Sequence, residues 1–177
     1  PAPYPHANKK PVILHIGTKP NKNLENTIEA LKNIPCKFLI LGKLKPGQKK
    51  LIDQYQLDAE NFVDIPEEKV YKLYKRCNML VFASYYEGFG LPIIEAQATG
   101  RPVITSKISS MPEVAGNSAL LVDPYNADDI SRAVKTIIND DKQREILIQN
   151  GFENVKRFSP DLIAQKYLDL YLKIGTN

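Results

Sequence analysis

Short apolar runs recur along this chain: VILHI at 12–16, FLIL at 38–41, MLVFA at 79–83, VITS at 103–106 and ALLV at 119–122. None of them alternates apolar with polar residues. A strand that is apolar on both sides must be covered on both sides, which is the habit of parallel sheets. The stretches between the runs carry helical signals. Leu24, Ile28 and Leu31 share one face of a helix expected over 21–33. Further helices are expected over 45–55, from Pro66-Glu67-Glu68 onward, over 92–99, over 141–157 and over 160–174. Proline suits a first helical turn and acids suit its positive end. Asn126 caps a helix whose Ile130, Val134, Ile137 and Ile138 form one face, Ser159-Pro160 opens the last helix, and 110–113 reads as a capping box on a short one. FVDI, 62–65, is expected to be one more short strand. This alternation predicts an α/β fold: a Rossmann-like, doubly wound parallel sheet in three α/β/α layers.

The chain has 177 residues, 43% of them hydrophobic, which fits one domain with an ordinary core. Residues 1–11, PAPYPHANKKP, hold four prolines and read as a linker that includes His6, leaving 12–177 as the domain. The net charge of +4 is spread along the chain, so no clustered basic face for nucleic acid is expected. No apolar run approaches the length of a membrane span, and no charged-then-apolar leader opens the sequence. Cys36 and Cys77 are too few for a disulfide framework or a metal cage and read as small buried hydrophobes in a reducing, cytoplasmic setting.

A sheet of this kind takes its ligand beyond the carboxyl ends of its strands. Three loops fall there: 17–22, 42–47 and 84–91. The third runs into SYYEGFGLPIIEA, 84–96. Gly88 and Gly90 permit unusual backbone angles and close approach of N–H groups to a ligand. Pro92 presets a helical turn, and the helix start then offers free N–H groups and partial positive charge to a phosphate. Glu95, about one turn in, suits a diol such as a ribose, while Glu87 faces whatever lies beyond the phosphates. The spacing alone says little, because Glu60/Glu68 and Glu145/Glu153 share it. The context of strand end, glycine pair, proline and helix start sets Glu87/Glu95 apart, against the plainer reading of a tight turn. In the first loop, GTKPNKN, Gly17 ends a strand and Lys19 and Lys22 stand near a helix start, placed to meet diphosphate charge or simply exposed. Neither a Walker sequence nor GxGxxG is present.

Two stretches carry a family likeness: SYYEGFGLPIIEAQATGRPVITSKISSMPEVAGNSALLVDP and ILHIGTKPNKNLENTIEAL. They resemble the donor-binding, C-terminal domain of retaining glycosyltransferases with the GT-B fold, family 4 type, and the likeness runs from about residue 12 to about residue 171. It implies transfer of a sugar from a UDP- or GDP-sugar to an acceptor hydroxyl, with no cofactor and no metal. By that likeness Glu87 and Lys22 are catalytic. Gly17, Thr18, Lys19, Lys22, Gly88, Phe89, Gly90, Leu91 and Glu95 hold the donor, and Val63, Asp64 and Ile65 lie by the nucleobase. Glu87 is either a nucleophile or an orienting group. Thr18 stands where many relatives carry arginine. The likeness also implies an N-terminal acceptor domain absent from this chain, open to peripheral contact with the inner face of a membrane, and an isolated domain that binds without transferring. Polysaccharide assembly is one setting. A stand-alone nucleotide-sugar-binding module is the alternative; an epimerase or phosphorylase of the same fold fits less well.

Other residues receive structural readings. His15 is expected to be packed in its strand and Arg101 to be structural. Tyr85 and Tyr86 either line the crevice or pack on the sheet edge. Tyr167, Leu170 and Tyr171 of the last helix are expected to pack against this domain.

Overall fold

A computed structural model describes residues 10–175. Six strands form one sheet: β1 (Val12–Ile16), β2 (Lys37–Leu41), β3 (Asp58–Phe62), β4 (Met79–Phe82), β5 (Val103–Ser106) and β6 (Ala119–Val122). The spatial order is β3-β2-β1-β4-β5-β6, and every pairing is parallel. The order reverses between β1 and β4, so the loops leaving those two strands diverge and open a crevice. Among the described residues eight α-helices accompany the strands: α1 (Leu24–Leu31), α2 (Pro46–Gln54), α3 (Glu67–Arg76), α4 (Leu91–Ala98), α5 (Met111–Ala115), α6 (Ala127–Asn139), α7 (Asp141–Lys156) and α8 (Pro160–Gly175).

The continuous apolar runs have the expected cause. Ile13, Phe38, Ile40, Val81 and Ile104 pack on one face with Ile28 of α1 and Ile130, Val134 and Ile137 of α6. Leu14, Leu39, Leu80, Phe82 and Val103 pack on the other with Leu73 and Tyr74 of α3, Ile93 of α4 and Met111 of α5. Both faces are dry, giving three α/β/α layers. Cys36 and Cys77 are buried free thiols whose burial pushes them up to about 11 and about 12. His15 is fully buried in β1, edge-on to Phe38. Arg101 is buried too, donating from Nε to Tyr74 O at 2.9 Å and from Nη2 to Lys75 O at 2.9 Å. It closes the C-terminal end of α3, a structural role as read from the sequence.

Three expectations are corrected. The third strand is DAENF, 58–62, and not 62–65. As the polar edge of the sheet it has no apolar run to announce it. Its Glu60 pairs with Lys37 and Arg76, and its Asn61 side chain donates to Ile40 O and Gly42 O. Val63, Asp64 and Ile65 form the following loop, with Asp64 in the left-handed region at φ 50°. The capping box at 110–113 does not form, because Ser110 bonds elsewhere. Tyr167, Leu170 and Tyr171 do not pack against this domain. They stand exposed, as do the other side chains over 161–174 of α8. Asn126 caps α6 as expected, accepting from the N–H groups of Asp128 and Asp129, and Ser159 accepts from Leu162 N at the start of α8. Of the expected linker, residues 1–9, His6 among them, lie outside the described residues, while Pro11 O accepts from Lys37 N at 2.9 Å.

Candidate functional site

The site is built at the β1/β4 reversal from the ends of those strands. Gly17 follows β1 with φ +94°, and a Cβ there would stand 2.6 Å from Lys22 Cγ. Glycine is required twice over, by the backbone angle and by the Lys22 stem lying against it. The chain then makes a short 3₁₀ turn, Pro20–Lys22, before Asn23 at φ 59° starts α1. Asparagine tolerates this left-handed angle. The buried Asn23 side chain donates to Ala83 O at 2.8 Å and to Pro124 O at 2.7 Å.

These bonds bring Lys22 to the loop after β4. Its Nζ lies 2.7 Å from Glu87 Oε1 and 4.9 Å from the centre of the Phe82 ring. Both partners are largely shielded, with 20% of the Lys22 side chain and 13% of the Glu87 side chain exposed. Asn21 joins the same two loops, accepting from Tyr85 N and donating to Tyr86 O. The Glu87 loop is held from a third side, since Ser109 and Ser110 both donate to Glu87 O at 3.0 Å and Ser110 also donates to Phe89 O at 2.8 Å. Phe89 sets its ring edge-on to Phe158, 5.6 Å away.

Gly90, at φ +112°, is the N-cap of α4. Gly88 does not take a left-handed angle; a Cβ there would meet nothing within 4 Å, so it lies open beside the crevice. Among the described residues the N–H groups of Gly88, Phe89, Gly90 and Leu91 make no hydrogen bond. Free N–H groups at a helix start, with a lysine opposite, form an anion-binding edge. Glu95 lies on the second turn of α4 with its side chain toward α3, where the Tyr74 hydroxyl donates to Oε2 at 2.5 Å.

The remaining predicted residues divide. Lys19 is exposed at the mouth of the first loop. Thr18 is buried, its hydroxyl donating to Lys43 O at 2.7 Å, so its side chain ties the first two loops together and does not face the crevice. Gln48 reinforces that tie, donating to Thr18 O and Glu25 Oε1. Val63 and Asp64 are exposed and Ile65 half-buried, beside the start of α3. Tyr85 stacks on Tyr125 at 4.8 Å and receives a bond from Asn26, whereas Tyr86 is exposed. Among the described residues no group of three or more His, Cys, Asp or Glu side chains is gathered, and no helix is long and apolar enough to cross a membrane.

The family model for glycosyl transferases group 1 matches residues 1–154. This chain belongs to that family. Among curated relatives of this group 1 chain is the O-antigen chain mannosyltransferase B of Escherichia coli, 32% identical over 170 residues that cover 89% of this chain and 45% of the relative. A solved structure, sucrose-phosphate synthase from Thermosynechococcus elongatus, superposes with a TM-score of 0.84 at 29% identity, over 97% of this chain and 47% of that one. Anabaena HepE in complex with UDP and glucose superposes at 0.83 over 94% of this chain and 49% of that one; at 20% identity it speaks to the fold alone. The group 1 chain thus has the Rossmann-like fold seen in GT-B glycosyltransferases, and it spans about half the length of the relatives it matches.

Asn21, Asn23, Tyr74 and Ser109 hold the site in ways no stretch of sequence announced, and Ser110 carried only the pattern of a cap. Asn23 carried a signal, since asparagine just before a helix is suited to the left-handed angle of 59° it takes. Ser109 and Tyr74 carried none, because their partners lie about twenty residues away along the chain.

Proposed function

We propose that this chain is the donor-binding part of a retaining glycosyltransferase, holding a UDP- or GDP-sugar whose sugar passes to an acceptor hydroxyl with its anomeric configuration kept. The observation that carries the reading is the pairing of Lys22 with Glu87, directly before the unbonded N–H edge at Gly88–Leu91, with Glu95 on the helix that follows. Gly17, Lys19, Lys22 and the N–H groups of Phe89, Gly90 and Leu91 hold the diphosphate. Glu95 accepts from the ribose diol, and the base rests by Val63, Asp64 and Ile65.

As the bond from the anomeric carbon to the diphosphate oxygen lengthens, negative charge gathers on the leaving group. Fixed N–H dipoles and the Lys22 ammonium oppose that charge without rearranging, so the chemistry asks for no metal. Glu87 lies beside the sugar. A carboxylate already paired with an ammonium is a poor nucleophile, which favours same-face attack with Glu87 steadying a cation-like sugar. The acceptor site belongs to an N-terminal half, and the exposed apolar side chains of α8 suit contact with it. This chain alone then binds donor and does not transfer.

Calorimetry with UDP and GDP on the native chain and on Glu95→Ala tests the reading. A clear loss of affinity in the variant is expected; unchanged affinity removes Glu95 from the ribose site. A screen of nucleotide sugars with the two-domain enzyme, with and without chelator, then names the donor.

A further inference from the structure

Glu95 is on the surface of α4, with rotatable bonds that would ordinarily let its carboxylate wander. It is anchored instead from α3. Tyr74 is 2% exposed and its hydroxyl donates to Glu95 Oε2 at 2.5 Å. Tyr74 is itself fixed at both ends. Its ring lies in the core beside Leu73, Ile93 and Ala96, and its carbonyl accepts from the buried Arg101 guanidinium at 2.9 Å. Burial, with the Glu95 charge adding to it, pushes the phenol far above its usual range, so it remains a donor at every working pH. Among the described residues Glu95 Oε1 has no hydrogen bond. Beside the pair, a cleft of about 240 Å³ opens between α3 and α4, lined by Tyr74, Glu95, Glu67, Val70, Tyr71 and Thr99.

We infer that Tyr74 is a positioning residue: by holding Oε2 it presets the Glu95 carboxylate so that Oε1 meets the hydroxyls of a nucleoside diphosphate ribose. This rests on the ribose role proposed for Glu95. Holding one oxygen removes the entropy of ordering the side chain at binding, so the gain falls on ligands that carry the diol. A buried tyrosine that only filled space would affect every nucleotide alike.

The test compares UDP and GDP with their 2′-deoxy forms, by calorimetry, on the full chain and on Tyr74→Phe, with thermal unfolding as a check on folding. Tyr74→Met, which keeps bulk without the hydroxyl, replaces the phenylalanine variant if that is unstable. The native chain is expected to prefer ribose forms by about tenfold, the scale of one charge-assisted hydrogen bond. Tyr74→Phe is expected to shrink that preference to about threefold or less while deoxy affinity stays within about twofold. A preference that survives in the variant, or an equal fall in both nucleotides, overturns the positioning role and leaves Glu95 in the ribose site. A native chain without any ribose preference overturns the Glu95 reading, and this inference with it.

Discussion

Lys22 Nζ and Glu87 Oε1 stand 2.7 Å apart, although one follows β1 and the other β4. Lys22 of the first loop is thus already paired with the acid that precedes the N–H edge of α4. An incoming diphosphate competes with Glu87 for Lys22. Lys22→Met is therefore expected to weaken UDP or GDP binding by roughly tenfold or more, as befits a charge-assisted bond. Glu87→Gln, which removes the competitor, is expected to tighten binding by about threefold at low salt, an advantage that fades as salt screens it. Calorimetry at two ionic strengths separates the two. Looser binding in Glu87→Gln would show that the acid supports the phosphate subsite and does not compete with it.

Gly17→Ala tests the packing of the Lys22 stem. The new methyl would sit 2.6 Å from Lys22 Cγ on a backbone at φ +94°. Strain of this kind costs about 1–3 kcal/mol in stability. Displacement of Lys22 adds a loss of nucleotide affinity comparable to that of Lys22→Met. Urea unfolding and calorimetry on the same sample check both; full affinity in a folded Gly17→Ala chain contradicts the packing argument.

His15 makes stability depend on pH. Burial, helped by the nearby Lys22 charge, lowers it from 6.5 to about 4. Above the ordinary value the ring is neutral in both states and the folded chain keeps its full stability. As pH falls below 6.5 the unfolded chain takes up a proton that the folded one refuses, so stability drains until about pH 4. Between about pH 7 and about pH 5 this amounts to roughly 2 kcal/mol. Urea-unfolding free energies at those two pH values should differ less in His15→Leu than in the native chain by that amount. An identical pH slope in the two proteins contradicts the account.

Asn23 joins the two halves of the crevice. Asn23→Gly keeps the left-handed angle and loses the bonds to Ala83 O and Pro124 O, for an expected cost of roughly 1–3 kcal/mol. Asn23→Ala loses the same bonds and adds about 1 kcal/mol of backbone strain. Chemical denaturation should rank native above Gly above Ala; Ala equal to Gly would mean the φ of 59° carries no strain.

The layered fold was legible because both faces of the inner sheet are dry: VILHI, FLIL, MLVFA and VITS advertise buried strands in their own composition, while ALLV, just as apolar, forms an edge strand with Leu121 exposed. DAENF was not legible, since an edge strand draws its stability from pairing and from Lys37 and Arg76 salt bridges that no local pattern displays. The helix start at Leu91 and the roles suggested for Lys22 and Glu95 could be framed from glycine, proline and charge in sequence order. What holds those groups could not. Asn23 reaches Pro124 across 101 residues, and Thr18, read as a donor contact, turns inward to Lys43. Ser110 looked like a cap and is a brace for the Glu87 loop, since a hydroxyl beside two carbonyls bonds where the tertiary fold puts them.

The β1–β4 pairing, in which Ile13 stands opposite Met79, joins segments farther apart in sequence than any other strand pair in the sheet. Closing so long a loop is slow and entropically dear. Lys22 and the N–H edge sit on opposite sides of that seam, so they meet only after it has zipped. A molecule touching both would act as a clasp across it, and its binding free energy would be returned as resistance of the whole sheet to coming apart.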